Sequence, residues 1–324
     1  MHLEQHLINQ YDTILYQEFL LWQMKSHILW LSFGDANTRF FHIQTKIRRA
    51  RQHIASLKNY DDKWIQGPQL HKFVVNHFKC LFQSGLRGEV SIPTTSYFSF
   101  EFHLQDFQDS LSRFPGDSEI LSTFRSMHPL KSPGPDGFHA QFFQNNWQVF
   151  GVEITEFIQT IFITSRIPMD LTQVKLVLIP KAPNPESVYQ FRPISVCNTL
   201  YKLLTKILVN RLKPFLHAMI RQSQAGFVPS RRATDNYIIT QELIHYISQR
   251  KGNTHLMAAK IDLDKVYEKL EWSFIKYTLL FYHFPAPIID LIMACIASTS
   301  ISIIWNGKVS LAFTPSRGTR QGDP

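Results

Sequence analysis

The chain has 324 residues, 44% of them hydrophobic and 18% charged, which supplies a real core and argues against a wholly disordered polypeptide. Lys and Arg outnumber Asp and Glu by 34 to 25, and the resulting net charge of +9 favours a polyanionic partner. Three distant cysteines, Cys80, Cys197 and Cys295, offer neither a disulfide framework nor Cys/His zinc spacing. Residues 1–25 carry Glu4, Asp12 and Glu18 and no secretory core, and the charge-free run 291–307 is interrupted by Ser298, Thr299, Ser300 and Ser302. Together these predict an intracellular chain, cytoplasmic or nuclear, with no membrane partner.

In chain order, Leu7, Tyr11, Ile14, Leu15, Phe19 and Trp22 recur at helical spacing and predict a helix over 3–31, broken at 34–37. Residues 38–60 hold Arg39, Lys46, Arg48, Arg49, Arg51 and Lys58 with no acid, and Lys46, Arg49 and His53 share one helical face. A helix over 68–83 and a Ser/Thr/Gly/Pro-rich linker over 84–100 follow. Next come a mixed helical segment over 101–130, a dense turn cluster over 131–138 and a helix over 139–165. The β-branched run 174–179 predicts a strand. Helices are expected over 199–220 and over 234–250, the latter capped by Thr234 or Asp235. Leu256–Leu263 reads as a buried strand, with helices over 273–283 and 287–298 after it. Asn306-Gly307, between Ser300–Trp305 and Lys308–Phe313, predicts a type I′ hairpin, because that turn needs positive φ at both central residues.

Five segments carry chemistry, one of them the rigid bend at 131–138, where Asp136-Gly137 allows an unusual φ and which taken alone is a turn. Asp262, expected at a strand end with apolar neighbours, holds a charge that is costly there without a cation or metal. Mg²⁺, which takes one or two carboxylates plus phosphates, satisfies it; so does an ion pair with Lys260 or Lys265. Lys181 after one strand and Arg192 before Pro193 place two cations at a strand pair, suited to a triphosphate or simply to the surface. The acid-free run 38–60, with Phe40 and Phe41 at its start, suits a phosphate backbone. Arg317–Pro324 is basic and Gly-rich.

Taken together and in order, these stretches resemble the reverse transcriptase of plant non-LTR (LINE-type) retrotransposons. The matching segments are KSPGPDGF (131–138), LVLIPK (176–181), FRPISVCNTLYKLLTKILVNRL (191–212), QAGFVPSRRATDNYI (224–238), KIDLDKVYEKLEW (260–272) and RGTRQGDP (317–324). WLSFGDANTRFFH (30–42), the basic run after it and DDKWI (61–65) resemble the linker upstream of that polymerase.

The resemblance implies an α+β right-hand fold: a helical, basic linker region over 1–100, fingers and the start of the palm over 101–255, and partial palm over 256–324. It implies RNA-directed DNA synthesis on an RNA template and DNA primer from dNTPs, with Mg²⁺ as cofactor. Asp262 matches the first catalytic carboxylate and Leu263 a carbonyl ligand to metal. Lys181 and Arg192 match the cations on the triphosphate, Tyr267 the residue beneath the sugar, and Gln321 a nucleotide-pocket glutamine. Lys46, Arg48, Arg49 and Arg51 would bind RNA. Val266 stands where the family usually has Ala, and Glu268 where it has Asp. The Tyr-x-Asp-Asp motif of the family does not occur before Pro324, so the expectation is a truncated domain, inactive as an isolated fragment, with a non-catalytic RNA-binding remnant as the alternative. The same reasoning predicts that 256–263 and the 300–313 hairpin expose apolar faces.

Overall fold

The computed structural model describes residues 2–26, 38–85, 103–250 and 256–322. The breaker at 34–37, most of the linker at 84–100, and the expected boundaries at 100/101 and after 255 lie outside the described residues. Two compact units form: Met1–His71 with Asn306–Lys308, and Lys72–Trp305 with Val309–Pro324.

In the first unit, α1 (His2–Ser26) packs on α2 (Thr38–Gln52), with Phe19 edge-on to Phe41 at 5.6 Å between ring centroids. The helical basic face ends at Gln52, so His53 lies beyond it, and the chain turns into β1 (Ser56–Lys58), paired antiparallel with β2 (Trp64–Gln66). Asn59 closes that hairpin: its Oδ1 accepts the backbone N–H groups of Asp61 (3.0 Å) and Lys63 (2.9 Å). The Asn306 side chain pairs with the Ile54 backbone in the same way, accepting at 3.0 Å and donating at 2.8 Å.

Helix α3 (Gly67–Leu81) leads into the second unit, where α4 (Leu104–Ser112) and α5 (Asp117–Arg125) follow. The helix expected over 139–165 is two, α6 (Ala140–Asn145) and α7 (Trp147–Thr164), because Asn146 leaves helical geometry at φ −110°, ψ 24°. Strands β3 (Gln173–Pro180) and β4 (Phe191–Cys197) pair antiparallel. Helices α8 (Thr199–Leu212), α9 (Leu216–Met219) and α10 (Ala233–Gln249) come next. The residue before α10 is Arg232 and no side chain caps the helix, so neither Thr234 nor Asp235 does so. Short α11 (Val266–Lys269), then α12 (Trp272–Phe281) and α13 (Ala286–Ala297), precede β5 (Ser300–Trp305) and β6 (Lys308–Val309).

β5 joins β3 in parallel, giving the order β4-β3-β5-β6. Asn306 and Gly307 have φ of 48° and 79°, as a type I′ turn requires, although the second strand is shorter than expected, with one further bridge between Ile301 and Phe313. The core lies between the sheet and the helices: Ile158, Ile161, Val174, Leu203, Leu204, Ile207 and Leu291 are all buried. Arg211 is buried there too, held by a two-pronged pair to Glu119 at 2.8 Å on each nitrogen and by a bond to the Leu111 carbonyl. Such geometry is what lets a guanidinium leave water.

The strand expected at Leu256–Leu263 does not form. These residues are exposed, Ile261 at 85% and Leu263 at 70%, and belong to no ladder among the described residues. A strand exists through its partner: β3 is enclosed between β4 and β5, and on the outer edge of β4 the Ser195 N–H is taken by the Gln321 carbonyl at 2.7 Å. The exposure expected for the 300–313 hairpin is corrected in part, because Ile301 and Ile303 are fully buried.

Candidate nucleotide and nucleic-acid site

The turn cluster at 131–138 is a docking element for α8. The Gly137 N–H bonds to the Gly134 carbonyl at 3.1 Å, and Asp136 accepts from the Phe138 N–H. Lys202 donates to the Ser132 carbonyl at 2.8 Å, and Thr199 to the Phe138 carbonyl at 2.6 Å. Gly134 is required by proximity, since a Cβ there would stand 2.2 Å from the Asn198 Oδ1.

Three stretches distant in sequence meet along β4. At its start, Arg192 pairs with Ile179, and the N–H of Lys181 donates to the Gln190 carbonyl at 2.7 Å, so both cations sit at the same end of the β3–β4 pair. Lys265 reaches this end as well: its Nζ donates to the Phe191 carbonyl at 2.9 Å. Farther along, Ser195 binds Gln321. Between them, the Thr319 N–H donates to the Tyr267 carbonyl at 2.6 Å and the Gly318 N–H to the Leu270 carbonyl at 2.7 Å. Gly318 has φ +85°, and a Cβ there would lie 2.5 Å from the Glu268 carbonyl, so glycine is needed on both counts.

Tyr267 and Gln321 line a cleft of about 790 Å³ with Tyr201, Leu208, Phe284 and Ile292. Lys181, Arg192 and Asp262 do not line it. Asp262 is exposed, three residues upstream of Lys265. Asp264 is paired with Lys269 at 3.1 Å, and Glu268 is buried. Among the described residues no three His, Cys, Asp or Glu side chains gather as a metal site. The donors on offer are therefore Asp262 and nearby backbone, which suit Mg²⁺ where phosphates complete the shell.

Burial, and next the Lys265 charge, push His77 down to about 4, with Asp264 opposing. Burial and the Lys181 charge lower Lys265, against Glu268 and Asp264. The cations of the basic run belong to the first unit: Lys46, Arg49 and Arg51 are exposed on α2 and Arg48 is half-buried. That unit also presents Trp64, 53% exposed, with the Lys58 ammonium 5.3 Å above its ring.

Sequence reasoning weighed Lys265 only as an ion-pair partner of Asp262 and passed over Arg320. Arg320 points inward, donating to Thr299 at 2.8 Å, to the Cys295 carbonyl at 2.9 Å and to the Tyr201 hydroxyl. Lys265 stood inside a quoted motif, and its lack of an apolar role was the available signal; nothing local marks Arg320 as buried.

Residues 179–324 match the family model described as reverse transcriptase (RNA-dependent DNA polymerase). The chain is similar to the transposon TX1 uncharacterized 149 kDa protein of Xenopus laevis, 29% identical over 208 residues, 64% of this chain and 16% of that protein. It is 28% identical over 193 residues to the retrovirus-related Pol polyprotein from type-2 retrotransposable element R2DM of Drosophila melanogaster, covering 60% and 18% of the two chains. The Pol polyprotein from type-1 retrotransposable element R2 of Nasonia vitripennis is 24% identical over 192 residues, covering 59% and 18%. The chain thus spans less than a fifth of the length of these relatives. No described helix is long and apolar enough to cross a membrane.

Proposed function

We propose that the chain is the fingers and part of the palm of a retrotransposon RNA-directed DNA polymerase, adding dNTPs to a DNA primer on an RNA template. One observation carries this reading: Lys181, Arg192, Tyr267 and Gln321, far apart in sequence, stand on segments tied to one another along β4. Lys181 and Arg192 supply the charge a triphosphate needs, and Tyr267 and Gln321 border the sugar and base. Asp262 and the Leu263 carbonyl would hold Mg²⁺, which when bound would offset phosphate charge and make the primer hydroxyl easier to deprotonate. The acid-free α2 would bind the template through Lys46, Arg48, Arg49 and Arg51, beside an exposed Trp64 suited to base stacking.

The test is primer extension on RNA with dNTPs and Mg²⁺. Extension abolished by Asp262→Asn supports the reading and overturns the expected inactivity of the isolated fragment; extension indifferent to that change refutes the assignment of Asp262. A second reading, a nucleic-acid-binding module without catalysis, is favoured by the exposure of Asp262 on a segment outside any strand. It requires RNA affinity that falls with salt and a salt slope reduced by about 2 on reversal of Arg48, Arg49 and Arg51. Affinity independent of ionic strength would exclude it.

A further inference from the structure

The bonds around the candidate site form a closed circuit. From β4 it passes through Ser195 N–H to Gln321, along 321–318, through Thr319 and Gly318 to Tyr267 and Leu270, and back along α11 to Lys265, whose Nζ returns it to Phe191 of β4. The links at Ser195, Thr319 and Gly318 join backbone to backbone, at 2.6–2.7 Å, and of the side-chain substitutions proline alone deletes the donor. The link between α11 and β4 is a side chain.

Lys265 is built for that task. It precedes α11 in the left-handed region, at φ 55°, a conformation a long side chain adopts only where surrounding contacts hold it. Its ammonium lies 6.0 Å above the Phe78 ring and is half-buried. The charged groups that face it are Lys181, Lys269, Asp264 and Glu268. Of the two acids, Asp264 is paired with Lys269 at 3.1 Å and Glu268 is buried.

We infer that Lys265 is a positioning residue: it fixes the segment carrying Asp262 and Tyr267 to the end of β4 carrying Arg192, and adds its charge to the phosphate-binding end of the site. The second half of this inference rests on the nucleotidyl-transfer reading; the first does not.

The full chain is compared as wild type, Lys265→Met, Lys265→Gln and Lys265→Arg. Backbone hydrogen exchange without nucleotide tests the clamp. In Lys265→Met, amides of 264–270 and 318–321 are expected to exchange roughly tenfold faster or more, with Arg restoring protection. Unchanged exchange in Met overturns the clamp. Should Met lose its fold, Gln decides on the same terms, retaining a neutral donor of shorter reach. Titration with dTTP and Mg²⁺ tests the charge: Met and Gln are expected to bind roughly tenfold more weakly and Arg close to wild type, while RNA affinity through α2 stays within about twofold. Equal dTTP affinity in all four overturns the phosphate role. A wild-type chain that binds no dTTP sinks the polymerase reading itself, and the exchange comparison still decides the clamp.

Discussion

Two apolar runs of the second unit look alike on paper and end differently. Leu256–Leu263 and Ser300–Trp305 are both short and largely apolar, although Ile261 alone is β-branched in the first, against Ile301, Ile303 and Ile304 in the second. The latter becomes β5, alongside β3, with Ile301 and Ile303 fully buried, while the former joins no strand among the described residues and leaves Ile261 and Leu263 exposed. Hydrophobicity nominates a strand, but a neighbour with free N–H and C=O groups makes one.

The contrast can be broken most sharply at the buried run. Ile303→Ala is expected to destabilise the chain by about 2–5 kcal/mol, read as a shift in the urea midpoint. A shift below ~1 kcal/mol would mean that β5 is no better seated than 256–263. Next comes the strap that holds the end of the chain against β4 and α11. Gly318→Ala places a Cβ against the Glu268 carbonyl at positive φ, and should cost roughly 3 kcal/mol and loosen 318–321 in hydrogen exchange. An unperturbed melting curve for this variant would mean that the strap is not tight.

A pH effect sharpens the comparison from beneath. His77, packed edge-on to Phe78 and Tyr189 near Lys265, is held at about 4, below its ordinary 6.5. The unfolded chain therefore takes up a proton first as the pH falls. Stability is complete above pH 6.5, declines between 6.5 and 4, and gains no further loss from this group below that, up to about 3 kcal/mol in all. Urea titrations across this window should show the slope in the wild type and lose it in His77→Phe; a slope that survives points to other groups. Smallest of all is Ile261→Ala, expected to change stability by no more than about 0.5 kcal/mol. A larger loss would show that 256–263 is covered in solution.

Local chemistry was legible where it closes on itself. Asn306-Gly307 announced a turn that its φ values satisfy, and 131–138 announced a rigid bend. What the bend is for, docking onto Asn198, Thr199 and Lys202, depends on a helix more than 60 residues away and left no local trace. The same holds for the site. Lys181 and Arg192 stood out by their places at the strand pair, and Tyr267 and Gln321 by resemblance, but their joining through Ser195, Thr319 and Lys265 is a property of packing. The failed strand at 256–263 is the converse case, where the pattern was present and the neighbour was not.

Arg317 and Arg320 make the final stretch look like a handle for nucleic acid. Yet Arg317 is joined to Glu271 and the Leu81 carbonyl, and Arg320 is sunk against Tyr201 and α13. Both guanidiniums act as mortar, so a forecast of salt sensitivity made by counting basic letters overshoots by these two. Polyanion attraction in this molecule has to be reckoned from the cations that still face water.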